Sequence, residues 1–155
     1  MRIEGDPGDS FELNIVGYQY DGFDLPTVTD KWDRNWLRIH IQASSKGRMW
    51  QTVDTSLLTW EVDRVIEWFE EIASGKQIKK VQEFTEPNLR FELRERNAES
   101  ITLFVFFELE CRPARVPESE AVFVRLTCSL RELKSWARDL KRQLRKCPPR
   151  GRRPW

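Results

Sequence analysis

Two acidic residues at alternate positions come closest to an acid–base pair in this chain. Glu108 and Glu110 follow the apolar run ITLFVFF, and in an extended strand their side chains would share one face. Paired carboxylates can exchange protons with a substrate during hydrolysis. Sheet surfaces often carry such pairs, however, and the single histidine, His40, has no nucleophile or acid at a recognisable spacing. We therefore predict no catalytic residues and a protein that is not an enzyme.

Motifs that hold cofactors or metals are also missing from the sequence. The patterns G-x-G-x-x-G, G-x-x-x-x-G-K-[ST] and G-x-S-x-G do not occur. Asp30 and Asp33 lack the spacing of an EF-hand loop. Cys111, Cys128 and Cys147 form no C-x-x-C pair, which favours reduced thiols. The sequence predicts no cofactor and no metal.

Length and composition indicate one ordinary domain. The 155 residues are 39% hydrophobic and include nine Phe and seven Trp, enough for a core without disulfides. The first residues, MRIEGDPGDS, contain no apolar stretch, so we expect no secretion signal. No apolar run approaches the length of a membrane span. We expect a cytoplasmic protein with no membrane partner, and the oligomeric state stays open.

Hydrophobic periodicity predicts strands and two helices. The strands are expected at residues 11–20, 36–43, 48–53, 78–84, 89–95, 101–109 and 121–128. The run 101–109 is apolar at nearly every position, which is typical of a central strand covered on both faces. Short strands and tight turns favour an α+β fold, a mainly antiparallel sheet with two α-helices packed on it. We predict a single domain over 1–147 and a basic flexible tail over 148–155.

The helix predictions depend on capping residues as well as on apolar stripes. The first helix is expected at 60–74, with Thr59 as its N-cap. The second is expected to open with a capping box, Ser129 and Glu132, and to end before Pro148. Its predicted apolar stripe comprises Leu133, Trp136, Ala137, Leu140 and Leu144.

Charge is distributed unevenly along the chain. Residues 1–130 carry 16 Lys and Arg against 23 Asp and Glu, whereas residues 131–155 carry ten against two. On the first helix, four acids fall opposite the apolar stripe: Asp63, Glu67, Glu70 and Glu71. Only Arg64 borders them, although Lys76, Lys79 and Lys80 follow soon after the helix. Like charges four residues apart destabilise a helix by about 0.2–0.5 kcal/mol per pair. An uncompensated acidic face suits a basic protein partner, although it is also compatible with a solvated helix surface.

The basic end of the chain suggests another partner. The outward residues of the second helix and the following tail, Arg131 to Arg153, are rich in Arg and Lys. Such a surface can contact the phosphates of RNA or DNA. Cations near a helix C-terminus are favoured by the dipole alone, so a merely solvated face remains the alternative.

Tryptophans near the acidic residues could anchor a protein interface. Exposed Trp side chains often contribute strongly to binding, although here they could equally seal helix against sheet. The residues that we predict to contact a partner lie in the loop 21–36 and on the first helix: Trp32, Asp33, Trp36, Asp63, Glu67, Trp68, Glu70 and Glu71.

Several segments in order resemble one family. They are GYQ at 17–19, NWLRIHI at 35–41, SLLTWEVDRVIEWFEEIASGK at 56–76, FTEPNLRFEL at 84–93 and ITLFVFFELECRP at 101–113. Together they resemble WapI-like bacterial immunity proteins, over about 11–145. The resemblance implies a cytoplasmic, non-enzymatic inhibitor of the nuclease toxin domain of a contact-dependent, wall-associated system. It implies no particular binding residues, and the RGRRPW ending departs from it.

Overall fold

The first sheet of the computed structural model joins four consecutive strands in antiparallel order; the structure describes residues 1–5, 7–22 and 30–151. The strands are β1 (Arg2–Glu4), β2 (Ser10–Tyr18), β3 (Trp36–Ser45) and β4 (Arg48–Leu58). Alternation along β3 sends four fully buried side chains to one face, as the sequence predicts: Leu37, Ile39, Ile41 and Ala43. β4 continues beyond its predicted end at residue 53, and the three-residue β1 is not predicted at all.

The second sheet has the same antiparallel, sequential order. It contains β5 (Val81–Glu83), β6 (Leu89–Arg96), β7 (Ile101–Phe107) and β8 (Phe123–Cys128). β7 pairs with β6 on one side and β8 on the other, and all but one of its residues are buried. The prediction that this strand is central in its sheet is therefore confirmed. In the part of the chain that the structure describes, its outward residues Phe104 and Phe106 are covered by arginine side chains of β6 and not by a second layer.

The strand prediction is wrong just after Phe107. Leu109 has a φ of 46°, in the left-handed region that an extended strand cannot contain. The chain instead forms a short 3-10 turn over Leu109–Cys111. Glu108 and Glu110 consequently do not share a strand face, and Glu108 is paired with Arg112 at 3.1 Å. The geometry that would have made them an acid–base pair is absent.

Two helices complete an α+β fold, which confirms the predicted class. They are α1 (Thr59–Ala73) and α2 (Leu130–Leu144), and they pack against each other. Phe69 of α1 contacts both Phe91 of β6 and Trp136 of α2, at ring-centroid distances of 6.2 and 6.4 Å. Phe11 of β2 also contacts Phe91, so the two sheets and both helices share one core. Neither helix of the described residues has the length and apolarity needed to cross a membrane.

The two helix starts differ from each other. Ser129 and Glu132 form the predicted capping box, with the Glu132 carboxylate accepting from the Ser129 backbone N–H at 2.8 Å. At α1, Thr59 is not the N-cap but the first helical residue, because its hydroxyl is used elsewhere and Leu58 takes the cap position. The Leu58 N–H donates to the Glu61 carboxylate at 3.0 Å.

A side chain of α2 closes part of the edge of the first sheet. Because β1 is short, β2 loses its backbone partner after Leu13, whose N–H donates to the Met1 carbonyl at 2.7 Å. The next backbone donor on this edge of β2, the N–H of Ile15, donates to Gln143 Oε1 at 2.8 Å. Gln143 therefore substitutes for a missing strand residue.

The residues after α2 are attached to the domain through Asn35, which is fully buried. Asn35 Oδ1 accepts from the Thr59 hydroxyl and from the Arg150 N–H, both at 2.8 Å. Its Nδ2 donates to the carbonyls of Lys31 and Arg150, at 2.6 and 2.9 Å. We call this set of bonds the Asn35 clasp.

The Arg150 side chain adds to the clasp. Its guanidinium lies 3.4 Å from the centre of the Tyr18 ring, donates to the Tyr20 carbonyl at 2.8 Å and pairs with Asp21 at 3.3 Å. The Tyr18 hydroxyl donates to the Pro148 carbonyl. The segment that we predict as a flexible tail thus begins with residues bonded to the domain, and residues 152–155 lie outside the described residues.

We expect Asn35→Ala to lower the free energy of unfolding by about 2–3 kcal/mol, because it leaves buried donors and acceptors without partners. Urea denaturation measures the change, and replacement of the exposed Gln51 by Ala is the control. A loss no greater than that of the control would show that the clasp contributes little.

Stability should also depend on pH through the α2 cap. Hydrogen bonds from the Ser129 backbone and hydroxyl hold the pKa of Glu132 below its usual value. The carboxylate therefore stabilises the fold above the pKa of an unfolded Glu, about 4.3, and this contribution is lost as pH falls through the lower folded value. We expect Glu132→Gln to destabilise at neutral pH, with the difference from the parent vanishing in acid. If the variant stays less stable than the parent in acid, ionisation of Glu132 does not account for the loss of stability.

Candidate protein-binding surface

The outward face of α1 carries the four predicted acids. Glu67 and Glu70 are exposed, while Asp63 and Glu71 are partly exposed. The opposite side of the helix is buried in the core through Val62, Val65, Ile66, Phe69 and Ile72. We call the surface formed by Asp63, Glu67, Glu70 and Glu71 the acidic face.

Cations compensate this face more than the sequence suggests. Glu71 pairs with Lys76 at 3.7 Å, and Glu70 pairs with Lys141 of α2 at 3.9 Å. The expectation of an uncompensated face is therefore wrong, because the packing of α2 beside α1 brings in a cation from a distant part of the sequence. Both pairs are exposed, and such pairs contribute only about 0–1 kcal/mol. The two lysines lower the local charge without tying the carboxylates in place.

An open cleft of about 370 Å³ lies at the C-terminal end of the acidic face. It is lined by Glu67, Glu70, Glu71, Ser74 and Lys76. Three carboxylates against one ammonium group leave the lining acidic. A basic side chain from a partner is the kind of group that this cleft can accept.

Trp32 lies at the opposite end of the acidic face. Its ring contacts Trp60 edge to face, with 5.1 Å between centroids. Trp60 precedes Asp63 by three residues, and residues at this spacing are neighbours on a helix. The Asn35–Thr59 hydrogen bond holds the same turn against the start of α1. A partly exposed aromatic ring thereby continues the line of carboxylates.

The other described residues predicted in this loop, Asp33 and Trp36, lie in the turn after Trp32 and at the start of β3. Asp33 is exposed in the 3-10 turn Asp33–Asn35, and Trp36 is half-buried at the first position of β3, opposite Leu58. Residues 23–29 of the predicted loop lie outside the described residues. The structure thus joins Trp32 to the acidic face, with Asp33 next to it in sequence.

Trp68 does not present its ring to solvent, contrary to the prediction that it anchors a partner. Its side chain is 2% exposed, and its Nε1 donates to the Lys79 carbonyl at 2.7 Å. The segment that follows α1 covers the ring, so the buried side of the helix includes Trp68 as well as the apolar stripe. Helical spacing alone could not reveal this cover.

A buried carboxylate that the sequence reasoning overlooked, Glu61, fixes the first turn of α1. Its side chain is 1% exposed and accepts hydrogen bonds from the Leu58 N–H, the Thr85 N–H at 2.7 Å and the Thr85 hydroxyl at 2.9 Å. Arg64 lies 3.6 Å from it. A Glu three residues after a helix cap was the available signal, but Leu58 is an unusual cap residue.

Nothing in the described residues assembles a reactive centre. They contain no group of three His, Cys, Asp or Glu placed to hold a metal ion. Burial raises the pKa of Cys111 to about 11 and that of Cys128 to about 12, so both remain thiols near neutral pH. His40 is half-exposed on the polar side of the first sheet, opposite Asn14 and Val53.

The basic side of α2 is exposed and borders the acidic face. It includes Arg131, Lys134, Arg138, Lys141, Arg142 and Arg145. Two of these pair inside the domain, Lys141 with Glu70 and Arg142 with Asp139. The positive region is therefore adjacent to carboxylates rather than remote from them.

We expect Glu61→Gln to lower the free energy of unfolding by about 1–3 kcal/mol, because the new amide turns an N–H donor towards the buried Leu58 or Thr85 N–H. Glu67→Gln, six positions along the same helix and exposed, is the matched control and should be nearly neutral. Equal unfolding midpoints in urea for the two variants would contradict a structural role of Glu61.

A family model described as "Immunity protein WapI-like family" matches residues 2–148, nearly the whole chain. Neither the curated proteins nor the solved structures gave a match.

Proposed function

The chain belongs to the WapI-like immunity protein family, and from this premise we propose that it neutralises a cognate nuclease toxin domain by docking the acidic face of α1. The family description identifies an immunity protein and so implies a toxin partner. The observation that supports this surface is the row of outward carboxylates on α1, which ends in an open acidic cleft.

Charge complementarity supports a nuclease as the target. An enzyme that holds the phosphates of a nucleic acid needs a basic cleft. A rigid protein surface with carboxylates at helical spacing can fill such a cleft and exclude the substrate. Opposite potentials also accelerate encounter and reject wrongly charged partners.

The intramolecular ion pairs do not oppose this mechanism. Glu70 and Glu71 are half exposed, and their partners Lys141 and Lys76 are more exposed still. Since such pairs are worth little in water, arginines of a toxin can replace them with bidentate bonds that exclude solvent. Trp32 and Asp33, at the start of α1, would extend the contact.

Inhibition in this proposal is by occlusion, without a reaction catalysed by the chain itself. The buried, protonated cysteines and the separated Glu108 and Glu110 support a non-enzymatic role. We further propose that the protein acts in the bacterial cytoplasm, where an incoming nuclease reaches its substrate.

The alternative of nucleic-acid binding through α2 is less well supported. Arg150 belongs to the Asn35 clasp, so its backbone and its guanidinium are already bonded within the domain. The neighbouring acidic face would also repel a phosphate backbone.

The double substitution Glu67→Lys and Glu71→Lys reverses the charge of the acidic face. We expect it to weaken binding to the cognate toxin domain by about 100-fold, because it juxtaposes like charges in the interface. Isothermal titration calorimetry at low and moderate salt measures the dissociation constant.

The matched control is the same change of charge at two exposed acids elsewhere, Glu86→Lys and Glu118→Lys. Its affinity should stay within about threefold of the parent. Equal affinities of the two double variants would remove the acidic face from the interface, and absence of binding by the parent chain would refute the partner.

A further inference from the structure

The outer side of the second sheet carries an aromatic cluster that is separate from the shared core. Phe104 and Phe106 of β7 lie beside Phe123 of β8, with ring centroids 4.9 Å apart for Phe104–Phe123 and 5.4 Å for Phe106–Phe123. Neighbouring positions on β7, such as Val105, point into the core instead. The helices pack on that core side, where Phe69 contacts Phe91.

Two arginines of β6 lie over these rings. The Arg90 guanidinium is 3.9 Å from the centroid of Phe106, and the Arg94 guanidinium is 5.0 Å from that of Phe104. We call the surface formed by Phe104, Phe106, Phe123, Arg90 and Arg94 the aromatic–arginine face. Within the described residues its cover consists of long basic side chains, unlike the layer of helices on the other side of the sheet.

Glu92 holds the two arginines in place. It lies between them on β6, forms ion pairs with both, and its side chain is only 12% exposed. The guanidinium groups are therefore oriented by stacking below and by a carboxylate at the side. Fixing such a group in advance reduces the entropy lost when it binds a ligand.

Cations outnumber acids on this face. Lys46 lies 5.7 Å from the centroid of Phe123, and Arg125 is paired across the strands with Phe104. Arg90 and Arg94 add to them beside the largely covered carboxylate of Glu92, while Asp9 accepts from the Arg125 N–H at 2.7 Å at the edge of the face. At the border, Glu83 is paired with Lys79 at 3.6 Å.

We propose that the aromatic–arginine face is a second docking surface, which binds an acidic polypeptide segment of a protein partner. Carboxylates of the partner accept hydrogen bonds from the oriented guanidinium groups of Arg90 and Arg94. Its apolar side chains pack on the Phe104–Phe123 pair. Arginines and aromatic rings in such contact are the residues that dominate protein interfaces.

The geometry favours a polypeptide over a single-stranded nucleic acid. A base needs an open ring face on which to stack. Here Phe104 and Phe123 stack on each other with 12° between their planes, and Arg90 covers Phe106. One face of each of these rings is thus already in contact with another ring or a guanidinium group, which leaves less room for a stacked base.

This proposal does not depend on the proposed toxin contact. It concerns the other side of the second sheet and a partner of opposite charge, so either surface can fail its test alone.

The test uses the full chain, isotopically labelled for NMR, and a short synthetic peptide in which Glu alternates with Leu. We expect the shifts of the Arg90 and Arg94 Nε–H groups and of the β6–β8 amides to move on titration. A control peptide with Gln in place of Glu should bind at least about tenfold more weakly.

Arg90→Gln with Arg94→Gln should weaken the peptide complex by about tenfold or more. The matched control, Arg131→Gln with Arg138→Gln, removes the same charge from exposed positions on α2 and should change the affinity less than about twofold. If the Gln variant unfolds, Arg90→Lys with Arg94→Lys keeps the charge, and we expect it to weaken binding because the planar fork is lost.

Shifts that map to α2, equal binding of the Gln peptide, or equal losses in the two Gln variants would overturn the proposal. So would an oligonucleotide that displaces the Glu peptide from β6–β8.

Discussion

Edge-to-face contacts around Phe91 hold the two sheets and the two helices together. Phe11 reaches this ring from the first sheet and Phe69 from α1, and Phe69 also contacts Trp136 of α2. Because these rings are buried, α1 has little freedom to rotate about its axis, and its acidic side must face outward. The same contacts bring α2 alongside α1. Acidic and basic residues that are far apart in the sequence therefore lie side by side in the fold, as Glu70 and Lys141 do.

Two outward surfaces of different chemistry result from this arrangement. On α1, Glu70 and Glu71 are half exposed and paired with exposed lysines, so their orientation can adapt to a partner. On the second sheet the guanidinium groups of Arg90 and Arg94 are stacked on rings and tied to Glu92, so their orientation is set in advance. An adaptable surface and a preorganised one have different costs of binding. A protein whose work is recognition can use both, and its buried thiols and dispersed acids fit the absence of a reaction in the proposed role.

Sequence patterns predicted the elements whose own residues determine them. Alternation located the buried face of β3, the apolar run identified β7 as central, and Ser129 with Glu132 marked the start of α2. The family and the α+β class were also predictable, since many short patterns had to agree. Three of the failures have another cause, which is a contact between α1 and a residue outside that helix. The Thr59 hydroxyl is used by Asn35, the Trp68 ring is covered by the segment after α1, and Glu70 meets Lys141. For the candidate site, the sequence supplied the four acids but neither the pairing of Glu70 with Lys141 nor the burial of Glu61 and its bonds to Thr85.

Gln143 links the behaviour of α2 to that of a strand edge. While α2 is packed on the domain, the Gln143 side chain accepts a hydrogen bond from the Ile15 N–H, which lies beyond the end of β1. If the helix detached, β2 would present unpaired N–H and C=O groups in a row, the template on which other chains add as extra strands. Detachment of α2 would therefore expose the molecule to self-association through β2, and solubility under stress would depend on how firmly one glutamine stays in place.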